Sequence, residues 1–204
     1  MRFFERSHVY ESDWETVTAA WWVKYPNPAA THVKEIHTVS REIFKSRFSV
    51  RRLFYLEYGL PNWVQTMFKS KMEGWGVEEV RVNKEPKCLV AIGHNITFGS
   101  FFQMREEIRY TPHPENSSHT LFEQKMQFKV FGFGPIGGSL ETAARDSAAG
   151  KSSAGVRVME SVIERLNAEG WRKKAEDWVG KTEKRVNEEL MDSLSIFEQG
   201  RAKD

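Results

Sequence analysis

Three basic side chains stand where the surrounding pattern calls for apolar ones. Lys24 shares a helical face with Val17, Ala20 and Trp21, at i, i+3, i+4, i+7 spacing. Arg52 shares the parity of Val50, Phe54, Leu56 and Tyr58 in a strand over 49–58. Lys151 lies seven residues after Ala144 and seven before Val158, on the apolar side of a long helix. Burying a cation without a partner is costly, and two arrangements remove the cost. Each cation pairs with an acid such as Glu106, on the inner parity of its own strand, or runs its charged head to the rim. Alternatively, three cations on separate elements converge on an anionic ligand. An apolar cavity with a small cationic patch suits an acidic lipid, its chains in the cavity and its phosphate against Arg, Lys and histidine. Both arrangements stay open on these residues.

Other chemistry finds less support. An enzyme or small-molecule sensor on such a cavity would need an acid/base pair, for which His94 and Glu106 share inward parity. An adaptor whose cavity is filled by its own side chains is a third reading. Gly132, Gly134 and Gly137 form a GxGxxG between a strand and a helix, but no strand follows to complete a βαβ unit, and Pro135 removes an N–H. AAGKSS (148–153) resembles the end of a Walker loop, but Arg145 stands where its first glycine belongs. The six histidines show no HExxH spacing, and the single Cys88 excludes an internal disulfide and a cysteine zinc site. No metal and no cofactor are expected. The run EEVR (78–81) reads as a solvated strand face.

The elements that must position these residues follow from pattern and punctuation. SDWE (12–15) fits a capping box, with Ser12 as cap and Glu15 bonding back. The helix runs to about Lys24, because Tyr25 precedes a proline. The stiff stretch KYPNPAATHV (24–33) then fixes the backbone between Lys24 and His32. Strands are predicted at 2–10, 33–43, 49–58, 77–83, 88–98, 101–110 and 119–131, with short connections that make neighbours antiparallel. Cys88, Val90, Ile92, Ile96 and Phe98 give the fifth of these, 88–98, an apolar face. Phe102, Met104, Ile108 and Tyr110 give the next strand its apolar face, as do Phe122, Met126, Phe128 and Val130 the last. A helix over about 139–168 covers the apolar face of the sheet. Its small-residue half, 141–155, lets it approach closely or leaves space beside it.

Residues 58–68, YGLPNWVQTMF, combine a flexible Gly59 and a stiff Pro61 with a greasy tip of Trp63, Val64, Met67 and Phe68. They form either a hairpin loop packed on the core or a lid that touches membrane and gates entry. Residues 171–204 hold eight Lys/Arg and eight Asp/Glu, and Trp178, Val186, Leu190 and Leu194 suggest an amphipathic helix there. The 204 residues, 40% hydrophobic and 28% charged, fit one domain with a real core and an appendage. A net charge of +2 gives no global pull toward nucleic acid. No window approaches the length of a transmembrane helix. MRFFERSHVY reads as neither a signal peptide nor a transit peptide.

Five segments together resemble the PRELI/slowmo (Ups) family of mitochondrial lipid-transfer proteins. They are WETVTAAWWVKYPNPAATHV (14–33), RRLFYLEYGLPNW (51–63), HNITF (94–98), YTPHPENSSHTLFEQ (110–124) and VMESVIERLNAE (158–169). The likeness covers roughly residues 1–170, a lipid-transfer domain, and leaves 171–204 as a charged helical tail. It implies an α+β fold: a seven-stranded antiparallel sheet curved around a lipid cavity, with a short N-terminal helix and a long C-terminal one across the sheet. It implies non-enzymatic transfer of phosphatidylserine or phosphatidic acid in the mitochondrial intermembrane space, with transient membrane contact. The implied partner is a small twin-Cx9C helical protein. The family's headgroup positions fall on Lys24, His32 and Arg52, which places Lys24 and His32 at one end of the cavity opposite Arg52. Its mobile loop falls on Gly59–Phe68, Leu60 and Pro61 included. Where family members show N-x-x-K-[GS] in the long helix, Lys151 takes the asparagine position and Ala154 the lysine position, so the basic group moves about one turn. GLPNW and TLFEQ resemble the slowmo-type branch associated with phosphatidylserine.

Overall fold

The computed structural model describes residues 1–58, 65–66, 72–177, 180–181 and 184. Most of the lid candidate (Gly59, Leu60, Pro61, Trp63, Val64, Met67 and Phe68) lies outside the described residues, as do Trp178, Val186, Leu190 and Leu194 of the tail. The chain divides into two compact units, Met1–Ile163 and Glu164–Asp204. In the second, residues 171–177 are helical after Gly170, whose φ of 61° suits a residue without Cβ.

The first unit carries a seven-stranded antiparallel sheet in the order β1-β7-β6-β5-β4-β3-β2. Its strands are β1 (Arg2–Tyr10), β2 (Val33–Phe44), β3 (Arg47–Glu57), β4 (Glu73–Asn83), β5 (Cys88–Asn95), β6 (Phe102–Pro112) and β7 (Thr120–Val130). Strands β2 to β7 follow one another as an antiparallel meander, and β1 joins through β7. A short helix, α1 (Trp14–Val23), follows β1, and a long one, α2 (Gly137–Glu169), follows β7. The architecture is the α+β arrangement expected, and the glycines at 132, 134 and 137 form a strand-to-helix turn.

Several local expectations are corrected. Asp13, not Ser12, caps α1: its backbone is extended and its carboxylate accepts the Thr16 N–H at 2.9 Å. Glu15 turns outward to Lys87 instead of closing a capping box. β4 starts at Glu73, four residues earlier than expected, because Gly74 and Gly76 hide a segment that pairs with β3. In β5 the inward set is Leu89, Ala91 and Asn95 rather than Cys88, Val90 and Ile92. The run CLVAI is apolar at both parities, and register decides: Leu89 sits opposite Tyr110 and Ala91 opposite Ile108. Val90 and Ile92 face outward among Arg81, Arg109, Glu79 and Glu107, whose long side chains half-cover them.

The long helix meets the sheet through small residues, as its composition suggests. Ala144 and Ala148 pack on Phe102, Met126 and Phe128. α1 closes another part of the sheet face with Val17, Ala20 and Trp21 fully buried, and the Trp14 indole donates to the Tyr110 carbonyl at 3.1 Å.

Candidate functional site

Between the sheet, α2 and the stretch that follows α1 lies a cavity, through about 230 Å³ of which the centre of a water molecule can move. Its polar groups form a band across the middle rather than a patch at one end. Along β6, Glu106 lies between Met104 and Ile108; along β7, Gln124 lies between Phe122 and Met126; along α2, Ser152 lies between Ala148 and Val156. All nine residues line the cavity, so apolar wall extends on both sides of the band.

Register sets the band's layout. Arg52 on β3 faces Glu78 on β4, Glu78 faces Gly93 on β5, and Gly93 faces Glu106 on β6. Two acids thus stand two strands apart, about 10 Å, with no side chain between them. A Cβ at Gly93 would meet nothing closer than the Val77 carbonyl at 3.7 Å, so the gap is real space.

Of the four basic candidates, the structure brings Lys24, His32 and Lys151 to the cavity wall and holds Arg52 behind it. Arg52 is 6% exposed and donates to Glu78 through Nε at 3.0 Å and through Nη2 at 2.5 Å. Its guanidinium also lies 4.3 Å from the centre of the Trp21 ring. Its charge is therefore answered within the fold, by Glu78 rather than by Glu106. Glu78 lies on the buried parity of Val80, so only Glu79 and Arg81 of the EEVR run form a solvated face.

Lys24 is placed differently. It follows the last turn of α1, after which Asn27 turns the chain by accepting the Ala29 and Ala30 N–H groups. The ammonium sits 4.9 Å from the Trp21 ring and 5.0 Å from the Tyr25 ring, and no hydrogen bond or ion pair joins it to a described residue. Burial holds its pKa down to about 8, with Glu78 and Glu106 pulling the other way. Lys151 donates to the Glu57 carbonyl at 2.8 Å, and burial lowers its pKa as well. The His32 carbonyl accepts the Glu57 N–H at 2.8 Å, so both residues gather at the end of β3. Burial, reinforced by Lys151 and Lys24, pushes the His32 imidazole down to about 4. At neutral pH it is a neutral hydrogen-bonding group, not the cation expected.

Glu106 accepts a hydrogen bond from the Gln124 amide, whose oxygen accepts from the Ser152 hydroxyl. Burial raises its pKa, against the lowering effects of Gln124 and Lys24. His94 is exposed on the opposite face of the sheet, so it cannot form the acid/base pair with Glu106. Glu78, Gln124 and Ser152 were missed as site residues. The parity of Glu78 with Val80, and of Gln124 with Phe122 and Met126, was the available signal.

A model of the PRELI-like family matches residues 15–169. The chain belongs to the PRELI-like family. The match runs from the first turn of α1 to the last residue of α2 and includes Lys24, His32, Arg52 and Lys151. The UPS-like protein C36.10 of Schizosaccharomyces pombe is 29% identical over 169 residues, 82% of this chain and 91% of that protein. The protein UPS2, mitochondrial, of Saccharomyces cerevisiae is 28% identical over 201 residues, 94% of this chain and 85% of that protein. Among solved structures, the Zhui aromatase/cyclase of a Streptomyces species matches with a TM-score of 0.52 at 13% identity, covering 81% of this chain and 94% of that one. That likeness concerns the fold alone, a long helix with an antiparallel sheet.

Proposed function

We propose that this PRELI-like chain carries one acidic phospholipid, phosphatidylserine or phosphatidic acid, between membranes without chemical conversion. The observation that carries the reading is the Lys24 ammonium, held in an apolar-walled cavity with no anionic partner among the described residues. A buried charge in that state is stabilised by a ligand that supplies the counter-charge. A phosphate accepting from Lys24, with Lys151 and His32 beside it, does so, and the apolar walls take acyl chains. Arg52 supports the site indirectly by neutralising Glu78. Residues 1–170 form the lipid-transfer domain and 171–204 an appended tail, with residues 59–68 as the gate.

The relative UPS2 is named as mitochondrial. We place this chain in mitochondria too, in the intermembrane space, with a small twin-Cx9C helical protein as partner. Transfer of labelled phosphatidylserine and phosphatidic acid between liposomes, with that partner present, tests the reading. Acceleration of at least one lipid is expected, and none for either contradicts it.

A further inference from the structure

The two most exposed large apolar side chains among the described residues are neighbours in sequence: Ile43, 80% exposed, and Phe44, 64% exposed. They end β2 at its hairpin with β3, where Lys45 and Ser46 make a two-residue turn and Phe44 pairs with Arg47. β2 carries 12 residues, so this apex lies about 35 Å along the strand from Val33 and from His32 beside it. A single exposed apolar residue is ordinary, but two side by side at a projecting apex form a patch.

Side chains alternate along a strand, so Ile43 and Phe44 belong to opposite faces of the sheet. Ile43 stands opposite Phe48, on the face that carries α1, and the Phe48 ring packs 5.6 Å from the Trp22 ring, which braces the hairpin from that side. Phe44 stands opposite Arg47 on the other face. A protein laid on one face of the sheet covers one of the two and leaves the other in water. A medium that surrounds the apex covers both. The charges around them have one dominant sign. Arg41, Lys45, Arg47 and Lys84 are all exposed, and no acid among the described residues is paired with any of them. The Lys84 N–H donates to the Ser46 carbonyl at 3.0 Å, which joins the β4–β5 turn to the apex. Within 41–47 and 83–85 these four cations face two acids, Glu42 and Glu85. Lys45 itself has a φ of 51°, where a two-residue turn favours asparagine or glycine, so the fold holds a cation at the apex at some cost in stability. Its ammonium lies 5.5 Å from the centre of the Phe44 ring.

We propose that the β2–β3 apex docks the chain on an anionic membrane surface, with Ile43 and Phe44 entering the interface and Arg41, Lys45, Arg47 and Lys84 meeting the lipid phosphates around them. The inference goes beyond the carrier reading, because it concerns where the chain meets a bilayer and not what its cavity holds. It is also separate from the proposed gate, residues 59–68, which follow the other end of β3 in sequence. Two apolar side chains alone hold a protein to a bilayer weakly, and so do a few cations. Together at one apex they combine apolar burial with attraction to anionic headgroups.

Vesicle flotation of the purified chain with its small partner tests this apart from lipid transfer. The probes are vesicles of phosphatidylcholine alone and of equal parts phosphatidylcholine and phosphatidylglycerol. The wild type should bind the mixed vesicles about tenfold or more tightly than the neutral ones. Ile43→Ser combined with Phe44→Ser should lower binding to the mixed vesicles about tenfold at an unchanged unfolding midpoint. Lys45→Gln combined with Arg47→Gln should lower it about as much and flatten its dependence on salt. An environment-sensitive dye on Ile43→Cys should shift to the blue with mixed vesicles and stay unchanged with neutral ones, a reading taken at the apex itself. Wild-type binding that ignores phosphatidylglycerol overturns the inference, as does a serine variant that binds like the wild type or a dye that never shifts. A serine variant that loses its small partner but keeps its vesicle binding assigns the apex to a protein instead and overturns it too. None of these results bears on whether the chain carries a lipid, which the transfer assay reads.

Discussion

Arg52 and Lys24 rest against the same indole, that of Trp21, yet they do different work. The Arg52 guanidinium is 4.3 Å from that ring and its charge is answered by Glu78 across the β3–β4 ladder. The Lys24 ammonium is 4.9 Å from the ring, faces the cavity and has no acid in contact among the described residues. A buried cation paired with a buried acid belongs to the fold, because removing it strands the partner. A buried cation without one lowers stability until a ligand arrives, which is how strain is stored at functional sites. Residue type and inward parity are common to both positions. The partner on the neighbouring strand tells them apart.

The largest test of this contrast is Arg52→Ala. It strands Glu78 and removes packing on Trp21, and should cost about 3–5 kcal/mol in denaturant unfolding. Any loss of lipid binding should then follow the loss of fold, and an unchanged unfolding midpoint would remove Arg52 from the structural class. Lys24 should behave oppositely as pH rises. Burial holds its folded pKa at about 8, below the ordinary 10.5. Between those values the unfolded chain binds a proton that the folded chain does not, so stability rises with pH through the window. The gain is on the order of 3 kcal/mol if the whole window is crossed. Comparing unfolding of the wild type and Lys24→Met at pH 8 and 10 isolates it, because the tyrosines titrate in both. A flat difference between the two proteins contradicts a buried, unpaired ammonium.

Smaller effects concern the ligand. Lys24→Met should leave the fold at least as stable at pH 7 but lower phospholipid transfer about tenfold or more, the worth of one charge-assisted hydrogen bond. Lys151→Met should lower transfer only a few-fold, since part of that ammonium's hydrogen bonding is already spent on the Glu57 carbonyl. If Lys151→Met does more harm than Lys24→Met, the anion sits nearer the end of β3 than the middle of the band.

Much of the fold was legible in the sequence because the relevant signals are local. Alternation in β3, β6 and β7, the small-residue half of α2 and the proline stop after Lys24 each specify one element without help from the others. The inner face of β5 was not legible, because both parities of CLVAI are apolar and only pairing with β6 chooses between them. For the same reason Glu78 read as solvated: its neighbours in sequence are charged, while its partner Arg52 is 26 residues away. The inward cations could be listed from the sequence, but which of them is satisfied depends on register. The neutral state of His32 was equally hidden, since burial beside Lys151 and Lys24 sets it.

Native mass spectrometry of the purified complex with its small partner tests the central claim most directly. The account predicts a population heavier by the mass of one phospholipid, present in the wild type and much reduced in Lys24→Met, with the variant still folded. A wild-type chain that stays bare after incubation with phosphatidylserine and phosphatidic acid vesicles would contradict it, as would equal lipid occupancy in Lys24→Met.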